Sequence, residues 1–414
     1  MTAESVRADG RGLIDGPYAW FRLGVSVLLG TIASVGMWSV IVVLPYVQAE
    51  FGVDRANASL PYTATMIGFG VGNVTIGRLV DRFGITGPLI AAGLLLGAGF
   101  GLGSVAGSIW QLALVQAALI GIGASAGFGP LIANISHWFH RRRGIAVTVT
   151  ASGNYLAGAV WPMLLQEFSA AHGWRATYAG LGVFCVVTLV PLAFLLRREA
   201  PKEDAAWSGG EAAVALSHRS LGLSPRTLQW MLAAAGVGCC VAMSMPQVHL
   251  VAYCAGLGYG VARGAEMLSM MLAAGIVSRI ASGFIADAIG GIRTLLLGSV
   301  LQCLALIFFV PFDSLMSLYV ISLMFGLAQG GIVPCYAIIV REYLPAREAG
   351  ARVGFVIMAT LVGMALGGWM SGWIFDLTGS YRAAFLNGIA WNLFNIAIMT
   401  TLLWRARRPR AAVA

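Results

Sequence analysis

The sequence predicts an all-α integral membrane protein, twelve transmembrane helices in two pseudo-symmetric six-helix bundles. Three observations predict it. Of the 414 residues, 58% are hydrophobic and only 10% charged, against about 25% charged in a soluble domain. So few charges cannot cover a globular surface, and a bilayer is the natural solvent. The chain also falls into apolar runs, each near the roughly 20 residues a helix needs to cross the hydrocarbon core. One long polar stretch then divides those runs six and six.

Taken in order, the first run is residues 20–46, behind a polar tail, 1–19. That tail has no charged-then-apolar segment with a cleavage site, so the first run is expected to stay in the membrane. The second run, 57–79, carries Gly68 and Gly72; the third, 88–107, carries Gly93, Gly97 and Gly101. Glycine every fourth residue in an apolar helix reads as a close-packing stripe. Phosphate-loop and dinucleotide readings fail because no strand precedes these glycines. Runs at 110–136, 144–166 and 174–196 complete the first half. The stretch 197–226, with Pro201, Lys202, Glu203, Asp204, Ser208, Gly209 and Gly210, reads as a solvated linker. The second half holds runs at 227–252, 262–286, 294–311, 315–340, 350–375 and 382–404, with a tail at 405–414. In the eleventh, Gly363, Gly367, Gly368 and Gly372 are expected to let helices slide or bend. The six cysteines lie inside apolar runs without metal-ligand spacing and read as small core residues. Neither a metal nor a bound cofactor is expected.

The net charge of +9 would suit a nucleic-acid partner if the basic residues formed a face. Instead they sit in short clusters between apolar runs, which is topology information. Arg7, Arg11, Arg82, Arg141, Arg142, Arg143, Arg197, Arg198, Lys202, Arg219, Arg226, Arg405, Arg407, Arg408 and Arg410 fall on one side. Loops on the other side hold only Arg55, Arg175, Arg263 and Arg382. The positive-inside rule makes both termini and the linker cytoplasmic.

An internal repeat supports the two halves. Gly77-Arg78-Leu79-Val80-Asp81-Arg82-Phe83-Gly84 follows the second run, and Gly283-Phe284-Ile285-Ala286-Asp287-Ala288-Ile289-Gly290 follows the eighth, offset by 206 residues (283 − 77). Parallel six-helix repeats are a transporter device. The first stretch resembles the loop hallmark of the major facilitator superfamily, with Ile85 and Thr86 where the family has two further basic residues. The resemblance implies alternating access around a central cavity, with Asp81 and Asp287 steadying contacts between the halves. The alternative is that the loop residues Gly77, Asp81, Arg82, Gly84, Gly283, Asp287 and Gly290 only orient turns.

A finer resemblance is to the monocarboxylate porter group and its oxalate:formate relatives. It is carried by Asp15-Gly16-Pro17-Tyr18-Ala19-Trp20, Trp138-Phe139-His140-Arg141-Arg142-Arg143-Gly144, Gly173-Trp174-Arg175, Val248-His249-Leu250-Val251-Ala252-Tyr253 and Asp376-Leu377-Thr378-Gly379-Ser380-Tyr381. Independently, Arg279 is the one charge deep within a run. It precedes Asp287 by eight residues, roughly 12 Å of rise, which brings it near the midplane of a core about 30 Å thick. An arginine there costs at least ~2.5–3.5 kcal/mol on insertion scales, and its planar donor fork matches a carboxylate. The functional reading is an anion site; the structural one is an arginine bonded to backbone carbonyls or snorkelling. The resemblance implies that Arg279 is the carboxylate ligand, and a lone cation suits a monoanion such as a lactate- or pyruvate-like acid.

Two departures bear on coupling. Gly275 stands one turn before Arg279, where proton-linked members have an aspartate, and no lysine occurs in the first run. Exchange of anions is therefore expected to outpace net symport, because closing a cavity over an uncompensated cation is costly. His249 titrates in a suitable range and reads as a gate residue or proton relay. The repeat maps Arg279 onto Asn73 (279 − 206). Asn154, Tyr155, Gln329 and Tyr336 offer hydrogen bonds at cavity depth, and Trp38 an apolar wall; ordinary helix packing is the competing reading for each. Val147 stands where the porter group commonly carries an asparagine.

Rival functions are a drug or metabolite exporter of the same fold, which would prefer an acid at depth, and an intramembrane enzyme or sensor. The runs hold no nucleophile–base pair or metal motif, so a non-enzymatic carrier is expected. The expected setting is a bacterial inner membrane, the expected partners a small organic anion, lipid and a proton or counter-anion, and the expected state a monomer.

Overall fold

The computed structural model describes residues 14–139, 141–198, 221–344 and 348–407. The linker from 199 to 220, His140, and the tails through 13 and from 408 lie outside these described residues. Among the described residues there is no strand, and the helices resolve into twelve crossings. They are α1 (Pro17–Phe51), α2 (Arg55–Phe83), α3 (Thr86–Ser104), α4 (Ile109–Ser136), α5 and α6 (together Arg143–Phe194), α7 (Pro225–Gly256), α8 (Val261–Ile289), α9 (Gly291–Phe308), α10 (Leu315–Tyr343), α11 (Ala349–Thr378) and α12 (Tyr381–Arg407).

Local sequence explains where these helices start, bend and stop. Asp54 caps α2 by accepting from the Asn57 amide at 2.7 Å. Gly173 separates α5 from α6 with φ 80° and ψ 156°, a conformation that favours glycine. The repeat is also a repeat of geometry. Gly84 ends α2 with φ 75° and ψ 175°, and its N–H donates to Val80 O at 2.9 Å. Gly290 ends α8 with φ 87° and ψ 158°, and its N–H donates to Ala286 O at 2.8 Å.

The chain divides into two compact units. One holds α1–α6 together with Leu250–Ala273; the other holds the remainder of α7 and α8 with α9–α12. In the first, the predicted glycine stripes are packing surfaces. A Cβ on Gly72 of α2 would lie 2.9 Å from Ile122 O of α4, and one on Gly182 of α6 would lie 2.9 Å from Gly97 O of α3. At Gly101 nothing lies within 4 Å of the place its own Cβ would take, yet its backbone nitrogen lies 3.3 Å from the place a Cβ on Gly182 would take. In the second unit, a Cβ on Gly363 of α11 would meet Val237 O of α7 at 2.6 Å. Such backbone approach replaces the side-chain burial that water would drive in a soluble core. All six cysteines are buried and free.

Candidate functional site

The second unit builds a polar cluster around Arg279, and the sequence of α10 explains why. Pro334 has no N–H, so the carbonyl of Gly330, four residues earlier, loses its helical donor. The helix is interrupted at Gly330 and Gly331. The absence of a side chain at Gly330 lets α8 come close, since a Cβ there would collide with the Gly275 carbonyl. Arg279, buried on α8, then supplies the missing donor: its Nε donates to Gly330 O at 3.2 Å. Next to that carbonyl, buried Gln329 accepts from Gln247 Nε2 of α7 at 2.7 Å. Two helices, α7 and α8, thus converge on two adjacent residues of α10.

Asn73 stands in the same relation to its own unit. Its Nδ2 donates to Phe69 O at 2.9 Å, and its Oδ1 accepts from the Gly129 amide at 3.3 Å, just past the turn at 126–128 that interrupts α4. Arg279 and Asn73, 206 residues apart, therefore both reach from the second helix of a six-helix set to the broken backbone of the fourth. Trp38, Asn154 and Tyr155 are also buried in this unit. Trp38 Nε1 donates to Asn154 O at 3.1 Å, and Asn154 Nδ2 donates to Ser34 Oγ at 3.3 Å, at the turn inside α1. Gly158 lies against the indole, where its Cβ would be 2.9 Å from Trp38 Cε2.

Tyr336 and His249 are engaged elsewhere. The Tyr336 hydroxyl accepts from Asn395 Nδ2 at 2.8 Å; Asn395 also bonds Ala235 O and Ser299, so Tyr336 is tied into α7, α9 and α12. His249 Nε2 lies 2.7 Å from Gly368 O, which requires a proton on that nitrogen, and Tyr381 Oη lies 3.3 Å from Nδ1. Of the loop residues, Asp81, Arg82 and Asp287 are exposed at the ends of α2 and α8. Gly77 and Gly283 have open space beside them, while Gly84 and Gly290 make the turns described above.

The stretches that carried the finer resemblance pair up in space. Asp15 donates its N–H to Trp138 O at 3.0 Å and accepts from the Arg141 amide at 3.0 Å, and Ala19, Leu23, Trp138, Phe139 and Ala146 form one core. At the opposite end of the same unit, Trp174 Nε1 and Arg175 Nε both donate to Glu50, and Arg175 also reaches Ser104 O and Ala106 O. In the second unit His249 meets Tyr381. These motifs chiefly build the scaffold.

Sequence reasoning missed Arg22. This side chain is fully buried, donating to Leu196 O at 3.2 Å, Arg198 O at 2.9 Å and Asn134 Oδ1 at 2.9 Å, with its guanidinium 4.2 Å from the Trp138 ring centroid. It lies two residues into the first run; the clue was its place beside Tyr18 and Trp20. Gln247 was missed as well, because a lone glutamine in an apolar run has no pattern of its own.

Comparison with known proteins matches residues 27–350 and 267–414 to the family described as Major Facilitator Superfamily. The chain is 26% identical over 395 residues to monocarboxylate transporter 13 of Bos taurus, covering 94% of this chain and 90% of that protein. It is 26% identical over 359 residues to the agnestins efflux protein AgnL12 of Paecilomyces divaricatus, covering 83% of this chain and 79% of that protein. Among solved structures, the nucleoside transporter NupG aligns with a TM-score of 0.72 at 14% identity, over 92% of this chain and 99% of that one, a likeness of fold.

Proposed function

The chain belongs to the Major Facilitator Superfamily, and on that premise we propose that it is a secondary carrier of small monocarboxylates working by alternating access, with Arg279 as the carboxylate ligand. One observation carries the reading. Arg279 is a buried cation on a membrane helix, held by its Nε to a carbonyl that a proline has orphaned. The terminal edge of a guanidinium is a planar donor fork that matches a carboxylate. The relationship to monocarboxylate transporter 13 supports the same substrate class.

The remaining parts of the reading follow from it. Bundles at 20–196 and 227–404 are the moving bodies, and both termini are cytoplasmic in a bacterial inner membrane. Asn73, Trp38, Asn154, Tyr155, Gln329, Tyr336 and His249 contribute to the cavity or to the helices that frame it. Asp81 and Asp287 act at the loop ends of α2 and α8. Between Glu266 and Asp287, α8 supplies no carboxylate of its own, which favours anion exchange over proton symport. No cofactor is needed.

The test is uptake of labelled lactate and pyruvate by proteoliposomes, with and without internal unlabelled anion, for wild type and Arg279→Ala. Saturable uptake abolished in the variant, and stimulated by internal anion, is the expected outcome. Uptake that survives Arg279→Ala would falsify the assignment of that residue. A second reading is favoured by the relationship to AgnL12: export of a larger metabolite. It predicts no lactate uptake by wild type and resistance or efflux phenotypes instead.

A further inference from the structure

Gln329 and Gln247 are both buried, and Gln247 Nε2 donates to Gln329 Oε1 at 2.7 Å. A primary amide offers one oxygen that accepts and one nitrogen that donates twice. With its oxygen taken by Gln247, the Gln329 amide has only its NH2 group left to offer. Among the described residues, that nitrogen has no hydrogen-bond partner. Buried donors are rarely left unmatched, and an exception points to a strain, a role or a missing partner. The next residue along the chain is Gly330, whose carbonyl accepts from Arg279 Nε at 3.2 Å. One peptide link therefore joins the anchor of the guanidinium to the side chain with the unmatched donor, on the interrupted turn of α10.

We propose that Gln329 binds the oxygen on carbon 2 of a 2-hydroxy or 2-oxo monocarboxylate, and that Gln247 is a positioning residue fixing which way the Gln329 amide is turned. The inference rests on the reading of Arg279 as the carboxylate ligand. The chemistry is a match of donors to acceptors. A carboxylate presents only acceptors to a guanidinium that presents only donors. A 2-oxo oxygen is likewise an acceptor, and a 2-hydroxyl oxygen can accept. Either one satisfies an amide NH2, and an unsubstituted short acid has no such oxygen. A site built to hydrogen-bond a substrate oxygen rejects the analogue lacking it, because the protein group is left unpaired. Without Gln247 the amide of Gln329 can rotate and present its oxygen, which repels a 2-oxo oxygen and can only accept from a 2-hydroxyl.

The experiment is competition in proteoliposomes: uptake of labelled lactate inhibited by unlabelled lactate, pyruvate or propionate. It is run on wild type, Gln329→Met, Gln247→Met and the double variant, each checked for monodispersity. Wild type is expected to prefer lactate and pyruvate over propionate. Gln329→Met should weaken the two oxygenated acids by about tenfold or more while propionate moves by less than about twofold, so the preference collapses. Gln247→Met should weaken pyruvate more than lactate and propionate, and the double variant should be no worse than Gln329→Met, because one residue acts through the other. Parallel weakening of all three acids, or effects of the two glutamines that multiply, would overturn the proposal. Where Gln329→Met does not fold, absence of any 2-oxygen preference in wild type overturns it alone. Loss of all monocarboxylate uptake in wild type sinks the carboxylate reading beneath it; Arg279-dependent uptake without that preference sinks this inference only.

Discussion

Replacing Arg22 by methionine keeps the aliphatic stem and removes the guanidinium, which isolates the buried hydrogen bonds. Besides a long bond to Tyr18 Oη at 3.5 Å, the side chain makes three: to Leu196 O at 3.2 Å, Arg198 O at 2.9 Å and Asn134 Oδ1 at 2.9 Å. The two carbonyls lie just past the end of α6, where helical donors have run out and a cation is favoured by the helix dipole. Measured interhelical hydrogen bonds in membranes average about 0.6 kcal/mol, so three amount to about 2 kcal/mol. The ring contact with Trp138 at 4.2 Å adds about 0.5–2 kcal/mol. Removing the buried charge returns part of its desolvation cost; Nε has no hydrogen-bond partner among the described residues. The net expectation is a loss of about 2–3 kcal/mol. Reversible unfolding in mixed micelles, followed by tryptophan fluorescence, measures it. A cycle with Asn134→Leu should show coupling of about 0.5–1 kcal/mol. A loss below about 0.5 kcal/mol, or strict additivity with Asn134→Leu, would refute the idea that Arg22 clasps α1, α4 and the end of α6 together.

Other outcomes test the repeat and the opposite end of the first unit. Gly84→Ala and Gly290→Ala each force a side chain into a backbone region open almost only to glycine, at about 1–3 kcal/mol; thermal unfolding should drop alike in both, and one silent substitution would show that the two turns are not equivalent. Arg175→Met strands the carbonyls of Ser104 and Ala106 and should lower the unfolding midpoint. Glu50→Gln should cost less, about 0–1 kcal/mol, because the ion pair is half exposed. The reverse order in the same melt would contradict this account.

The twelve crossings were legible because span length and hydropathy are local properties, set by the bilayer rather than by neighbours. Arg279 was legible for the same reason: a single charge at depth stands out from its own run. The glycine stripes at Gly68, Gly72, Gly93 and Gly97 announced close packing through their spacing alone. Gly101 continues the spacing with its own Cβ position facing open space and its backbone against Gly182, since spacing along one helix does not say which side of each glycine its neighbour meets.

What the tertiary structure decided is which polar groups meet. Arg22 finds its acceptors 112, 174 and 176 residues away, and Gln247 finds Gln329 across 82; no local pattern encodes such pairings. Tyr336 read as a hydrogen-bonding group at cavity depth and His249 as a gate residue or proton relay; Asn395 engages the first, Gly368 and Tyr381 the second. Pro334 shows the boundary between the two kinds of knowledge. That it orphans the Gly330 carbonyl follows from covalent chemistry alone, while the choice of Arg279 to fill that vacancy needed α8 and α10 packed glycine to glycine. In a bilayer the hydrophobic term is nearly the same for every apolar helix, so composition determines that helices span. Small residues and buried hydrogen bonds then decide how they fit together.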